Sequence, residues 1–118
     1  MTGAYLLYHN PRCSKSRGAL DLLQENGIEP EIVRYLEDPP YADALCTLVR
    51  KLGIRPRELL RTGEEEYRSL GLADASIGDD AIIEAMAAHP RLIKRPILVR
   101  GDRAVIGRPP ERVLELVG

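Results

Sequence analysis

Apolar and amphipathic segments alternate along the first third of this chain. Residues 4–8 are a short apolar run, which is typical of a buried strand. Residues 14–26 carry apolar side chains at helical spacing, and Gly27 follows where a helix would end. Residues 31–36 include β-branched side chains and predict a second strand. A strand, a helix and a strand in this order predict a β-α-β unit with parallel strands.

The middle third of the chain has a helical pattern throughout. Residues 41–52 and 79–88 carry apolar side chains on one helical stripe, and residues 56–60 begin with proline and predict a short helix. Residues 62–65 have the pattern of a capping box for a further helix, and the acidic side chains at its start are expected to be solvated. This helical region separates the first two strands from the remaining β segments.

The last third predicts a hairpin and a final helix. Residues 96–100 and 103–106 read as strands, and Gly101-Asp102 between them suits a type II′ turn because glycine comes first. Pro109-Pro110 then opens a helix over residues 111–117, since proline is tolerated in the first turn of a helix.

The order of these elements predicts the fold class. A β-α-β unit, a helical insertion over about residues 41–90 and a β-β-α unit match an α/β, thioredoxin-like core with a mixed four-stranded sheet. We expect residues 1–118 to form one domain, because this length is too short for two cores. In that fold a cis proline at the start of the third strand faces the active cysteine, and Arg95-Pro96 stands at this position. We therefore expect a cis bond there, although cis is uncommon at X–Pro bonds in general.

Charge and composition exclude several classes of function. The net charge is −1 and the pI about 6.1, which leaves no electrostatic footprint for nucleic acid or an anionic membrane. No stretch approaches the ~20 apolar residues that span a bilayer, and no signal-peptide pattern is visible. We expect a cytoplasmic monomer with no nucleic-acid or membrane partner.

The break between the first strand and the first helix carries the main candidate for chemistry. Cys13 stands where the helix is about to begin, with Arg12 and Lys15 beside it. The free N–H groups and partial positive charge of a helix start favour an anion such as a thiolate. Cys13 is therefore predicted to be a reactive thiol. Cys46 lies within an apolar stripe, where nothing activates it, and we expect it to have a structural role in the core or just below the surface. The two cysteines suggest neither a disulfide framework nor a metal cluster.

Motifs along the chain carry a family resemblance. The segment Tyr8–Arg17 resembles the active-site segment of the glutaredoxin-coupled arsenate reductase family. Further segments match in register, so the resemblance covers essentially the whole chain: Tyr35–Pro40, Glu58–Arg61, Leu70–Ala73, His89–Ile97 and Gly107–Glu111. The chain is most similar to the short branch of that family, whose members end soon after the last helix.

The resemblance implies a mechanism and a set of site residues. Cys13 would attack arsenate to form a thio-arsenate adduct, with glutathione as co-substrate, glutaredoxin as a transient partner, and no bound cofactor or metal. His9 matches a histidine that supports the thiolate, and Ser16 matches a serine that can hydrogen-bond the cysteine sulfur. The matching oxyanion-binding residues are Arg61, Arg95 and Arg108. Planar guanidinium groups suit an oxyanion because they donate two parallel hydrogen bonds.

Two other functions remain open beside this one. A glutathione-dependent thiol reductase acting on another substrate would use the same thiol, and Arg12, Ser14 and Lys15 are larger or more polar than the family's usual residues. An RNA-polymerase-binding redox regulator of the same fold family typically carries Cys-x-x-Cys, whereas the second position here is Ser16. Phosphatase-like arsenate reductases need Cys-x5-Arg, and Ala19 at that position excludes them.

Overall fold

In this computed structural model, which describes residues 4–117, strands and helices follow the predicted order. The strands are β1 (Tyr5–Tyr8), β2 (Glu31–Val33), β3 (Ile97–Arg100) and β4 (Arg103–Ile106). The α-helices are α1 (Ser14–Glu25), α2 (Ala42–Leu52), α3 (Glu65–Ser69) and α4 (Asp79–Ala88). The 3₁₀ helices are Pro56–Leu59, Pro90–Leu92 and Pro110–Leu116.

The chain divides into two compact units. The first comprises the residues up to Asp38 together with those from Arg95 onwards, and the second is Pro39–Lys94. That residues 1–118 form a single domain with a helical insertion over about residues 41–90 stays a prediction, which this division into units does not test. No helix among residues 4–117 is long and apolar enough to cross a membrane.

The first unit is built on a four-stranded sheet in the order β2-β1-β3-β4. β1 pairs in parallel with β2 and antiparallel with β3, and β3 pairs antiparallel with β4. This confirms the predicted mixed sheet of a thioredoxin-like core. The register sets Tyr8 opposite Ile97 and Ile97 opposite Ile106. The residues that follow β1, precede β3 and follow β4 therefore lie at one end of the sheet.

The core of this unit is aliphatic, as expected for a chain without Phe or Trp. It is drawn from β1, α1, β3, β4 and the last 3₁₀ helix, and its buried members are Leu7, Ala19, Leu23, Leu98, Val105, Val113 and Leu116. Burying each of the larger side chains contributes about 1.5–3 kcal/mol, so the packing of α1 on the sheet positions the start of that helix firmly.

Backbone geometry at the hairpin agrees with the sequence prediction. Gly101 has φ 62°, and no described residue other than glycine has a positive φ, so the turn is not of type I′ and fits the predicted type II′. The Arg95–Pro96 bond is cis, as predicted, and Arg108–Pro109 is a second cis bond that the sequence did not reveal. Gly107 is required where it stands, because a Cβ there would lie 2.9 Å from the Pro96 side chain.

Some element boundaries differ from the prediction. β2 ends at Val33 instead of continuing to residue 36, because the chain turns where the N–H groups of Glu37 and Asp38 bond to the Arg34 carbonyl at 3.0 and 2.9 Å. The last helix is 3₁₀ and not α. The predicted capping box at residues 62–65 is wrong, since the N-cap of α3 is Glu64, two residues later than Thr62, and it makes no side-chain cap bond.

The second unit packs α2 and α4 around a short antiparallel contact. Leu60 and Ile93 form an isolated bridge, and beside it the Arg61 N–H bonds to the Leu92 carbonyl at 2.7 Å. The buried residues are Leu45, Leu48, Val49, Leu59, Leu60, Leu72, Ile82, Ile83, Met86, Leu92 and Ile93. The prediction for Cys46 is wrong, because this cysteine is exposed. One residue beyond buried Leu45, it is turned about 100° around α2 and leaves the apolar stripe.

Candidate active site at the start of α1

Cys13 occupies the N-cap of α1. Its backbone is extended, its N–H bonds to the Asn10 carbonyl at 3.0 Å, and its carbonyl accepts the first helical bond from the Arg17 N–H at 2.9 Å. The thiol is partly exposed, and it caps no backbone N–H. Cys13 therefore stands at the end of α1 that carries the free N–H groups of the first turn, and its side chain is accessible to solvent, which is the kind of position where reactive thiols occur.

The cations at this helix start lack acidic partners in the same turn. The first turn of α1 contains no acidic residue. Arg12, Lys15 and Arg17 are all exposed, and the Arg17 Nη1 group donates to the Pro11 carbonyl at 3.0 Å. Positive side chains at a helix N-terminus are unfavourable to the helix dipole, and a bound anion or a thiolate offsets this repulsion.

His9 and Ser16 form a buried pair beside the loop from Asn10 to Cys13. His9 is 6% exposed, Ser16 is fully buried, and the His9 Nδ1 lies 2.7 Å from the Ser16 Oγ. The Ser16 Oγ also accepts the Asn10 N–H at 3.0 Å. No hydrogen bond joins Ser16 to the Cys13 sulfur within residues 4–117. The resemblance implied a serine bonded to sulfur, whereas the structure places its hydroxyl against His9 and the backbone of the loop.

Burial lowers the pKa of His9 below its ordinary value of 6.5, and the positive charges of Arg34 and Arg17 lower it further. Neutral imidazole therefore faces Ser16 at neutral pH. Arg34 was not singled out from the sequence. It follows the last residue of β2, and only the pairing of Tyr8 with Val33 brings it near His9.

A pH dependence of stability follows from this shift. As pH falls, the unfolded chain protonates His9 first, so the stability that neutral His9 contributes is present above pH 6.5 and is lost as pH falls through the lower folded-state pKa. We expect the unfolding free energy from urea melts to fall between about pH 7.5 and 5.5 less steeply in His9→Gln than in the wild type. Equal slopes in the two proteins would contradict the buried neutral histidine.

Two of the three predicted oxyanion-binding arginines belong to the same end of the sheet as Cys13. Arg95 immediately precedes the cis proline before β3, and Arg108 follows β4. The Gly107 N–H bonds to the Pro96 carbonyl at 2.8 Å, which holds these two segments together. The Arg95 Nε–H is buried and has no hydrogen-bond acceptor among the described residues. A buried donor without an acceptor is uncommon in proteins, and it suits a group that binds a ligand oxygen.

The third predicted arginine, Arg61, belongs to the second unit. Its Nη1 donates to the Glu64 Oε2 at 2.8 Å, and the Arg91 Nη2 lies 3.4 Å from the other oxygen of the same carboxylate. Glu64 and Arg91 were not expected from the sequence to take part in any site. Arg61 and Glu64 are three residues apart but precede α3, so the sequence pattern of a helix does not predict their contact. Only the structure reveals this cluster.

A groove of about 470 Å³ lies beside His9 in the first unit, lined on its apolar side by Pro11, Leu20 and Ile32. Within the described part of the chain, no group of three or more His, Cys, Asp or Glu side chains is arranged to hold a metal ion.

Known proteins of similar sequence and fold indicate the family of this chain. The model of the ArsC family matches residues 8–116. The chain is 54% identical to the uncharacterised Escherichia coli protein YfgD, over all of both chains, and 44% identical to an arsenate reductase of Neisseria meningitidis serogroup B, over 91% of this chain and 92% of the relative. The solved structure of an arsenate reductase from Vibrio cholerae superposes with a TM-score of 0.95 at 46% identity, covering 99% of this chain and 100% of that one. A family match over nearly the whole length, joined to a thiol at the start of α1 as in the resemblance, establishes that this chain belongs to the ArsC family.

Proposed function

We propose that this protein is an arsenate reductase that uses Cys13 as its nucleophile. The observation that carries the proposal is the position of Cys13 at the N-cap of α1, at the end of the sheet where Arg95 and Arg108 also lie. The buried Nε–H of Arg95, without an acceptor among the described residues, supports an oxyanion ligand there. Relatives named arsenate reductases at about 44–46% identity support arsenate as that oxyanion.

In the proposed reaction the Cys13 thiolate attacks the arsenic atom of arsenate. A sulfur–arsenic bond forms, an arsenic–oxygen bond breaks, and the leaving oxygen departs as water after protonation. Glutathione then adds, and the two thiols supply the two electrons that reduce arsenate to arsenite. Their sulfur atoms are left joined in a mixed disulfide, which glutaredoxin resolves. The two electrons thus come from thiols, and the reaction needs no bound cofactor or metal.

The remaining site residues are proposed to act on charge. Arg95 and Arg108 bind the oxyanion and stabilise the negative charge of the adduct, and Arg61 is proposed as a third such residue on the strength of its motif. His9 and Ser16 are proposed to support the thiolate from behind the loop. Their hydrogen bond and the Asn10 N–H bond to Ser16 hold the loop from Asn10 to Cys13 in one conformation.

The partners follow from this chemistry. Arsenate and glutathione are the proposed small-molecule substrates, glutaredoxin is the proposed transient protein partner, and no nucleic acid or membrane takes part. A monomer in the reducing cytoplasm is the proposed setting, because a catalytic thiol needs reduced glutathione in constant supply.

The test is a steady-state assay that follows NADPH oxidation through glutathione reductase, with arsenate, glutathione and glutaredoxin present together. We expect turnover that saturates with arsenate and disappears when glutathione or glutaredoxin is left out. Turnover that persists without glutaredoxin would remove that partner from the proposal. If arsenate gives no turnover while Cys13 still forms a mixed disulfide with oxidised glutathione, the protein is a thiol reductase for another substrate.

A further inference from the structure

Glu64 holds an unusual position between two arginines of the second unit. Its carboxylate lies 2.8 Å from the Arg61 Nη1 through one oxygen and 3.4 Å from the Arg91 Nη2 through the other. The Glu64 side chain is 15% exposed and that of Arg61 24%, whereas Arg91 is largely exposed. One largely buried carboxylate is therefore shared by two guanidinium groups, and the cluster keeps a net positive charge.

This carboxylate has no other structural task in the described part of the chain. Glu64 stands at the N-cap of α3, yet it makes no side-chain cap bond. Its neighbour Glu65 points outward and lies only within 3.7 Å of exposed Arg68. The acidic run is thus not uniformly solvated, since Glu64 alone is drawn to the two arginines.

The backbone segments that carry the two arginines are paired with each other. The Leu60–Ile93 bridge and the Arg61 N–H bond to the Leu92 carbonyl fix the two backbone segments that carry Arg61 and Arg91 side by side. Glu64 follows Thr62 and Gly63, which are both exposed. Rotation of the Glu64 side chain alone would free both guanidinium groups without any change in the backbone.

We propose that Glu64 is the resident anion of a two-arginine site, and that a tetrahedral oxyanion takes its place between Arg61 and Arg91. A carboxylate and an oxyanion offer the same paired oxygen acceptors, so they compete for the same guanidinium donors. A dianion matches two arginines better in charge than one carboxylate does, which lets it displace Glu64. This inference rests on the proposed function only in taking arsenate as the natural oxyanion, and it assigns Arg91 as an additional anion-binding residue.

The test measures binding of sulfate, an unreactive tetrahedral dianion, by isothermal titration calorimetry at constant ionic strength. Removing a partly exposed internal competitor should tighten sulfate binding about 3- to 10-fold in Glu64→Gln, because such an ion pair contributes about 1 kcal/mol. Glu65→Gln is the matched control and should bind sulfate like the wild type. Adding Arg91→Ala to Glu64→Gln should reverse most of the gain, and adding Arg61→Ala should reverse it fully.

The outcomes separate this inference from the proposed function. Unchanged or weaker sulfate binding in Glu64→Gln would overturn it, because Glu64 would then position Arg61 and not compete for it. A gain that survives removal of Arg91 would overturn the assignment of Arg91. Tighter sulfate binding in Glu64→Gln, together with no arsenate turnover by the wild type, would support Glu64 as a competitor for the oxyanion. It would contradict only the proposed function.

Discussion

Cys13→Ser is expected to lower arsenate turnover by at least about 10³-fold, because a serine hydroxyl is a weak nucleophile without an adjacent base and cannot form the disulfide. The substitution exchanges one atom at the N-cap of α1, where serine is itself a preferred residue. The fold should therefore persist, and circular dichroism of the variant checks this. The measurement is the coupled glutathione and glutaredoxin assay at saturating arsenate.

The control for this prediction is the second cysteine. Cys46→Ala should turn over like the wild type, although Cys46 is the more exposed thiol and the easier one to reach by solvent. If only Cys13→Ser loses activity, the solvent accessibility of the thiols cannot explain the difference between the two variants. Substantial arsenate reduction by Cys13→Ser, or a matching loss in Cys46→Ala, would rule out a covalent mechanism through Cys13.

Arg95→Ala is expected to lower kcat/KM for arsenate about 10- to 150-fold, since a hydrogen bond to a charged group contributes about 1.5–3 kcal/mol. The Arg95 Nε–H is buried and without an acceptor among the described residues, so its loss leaves no broken bond within the fold. The variant should consequently unfold at nearly the wild-type urea concentration. The measurement is kcat/KM beside a urea melt of the same preparation.

Two further variants isolate the geometry of Arg95 from its charge. Arg95→Lys should recover little activity, because lysine keeps the charge but lacks both the Nε–H and the planar pair of donors. Arg103→Ala removes an exposed arginine from the opposite end of the same hairpin and should retain full activity. If Arg95→Lys matched the wild type, charge alone would account for the role of Arg95.

The predicted elements are confirmed where residue type and spacing along the chain define them. The apolar run of β1, the stop of α1 near Gly27 and the Gly101-Asp102 turn each follow from residue type and spacing, and the structure contains all three. Element boundaries differ where a turn competes with the strand pattern. β2 is shorter than its β-branched pattern indicates, because the Arg34 carbonyl captures two later N–H groups and bends the chain.

Burial was harder to predict than helicity. Cys46 lies in the helix that the pattern predicts, yet it faces solvent, because one residue shifts a side chain by about 100° around the axis. Glu64 was expected to be solvated at a helix start, yet it lies between two arginines from separate segments. Arg91 is far from Glu64 along the chain, so no local pattern in the sequence predicts that pair.

The sequence by itself determined the place of the candidate thiol, the order of the elements and the family, because each depends on residues that are neighbours along the chain or on motifs that match in register. Only the tertiary structure decided what surrounds these residues. The pairing of Tyr8 with Val33 and Ile97 brings Arg34 near His9 and sets Arg95 at the end of the sheet that carries Cys13. The Leu60–Ile93 bridge sets Arg61 and Arg91 on adjacent segments. Charges and hydrogen bonds act over a few ångströms in space, and strand pairing rather than spacing along the chain decides which groups come that close.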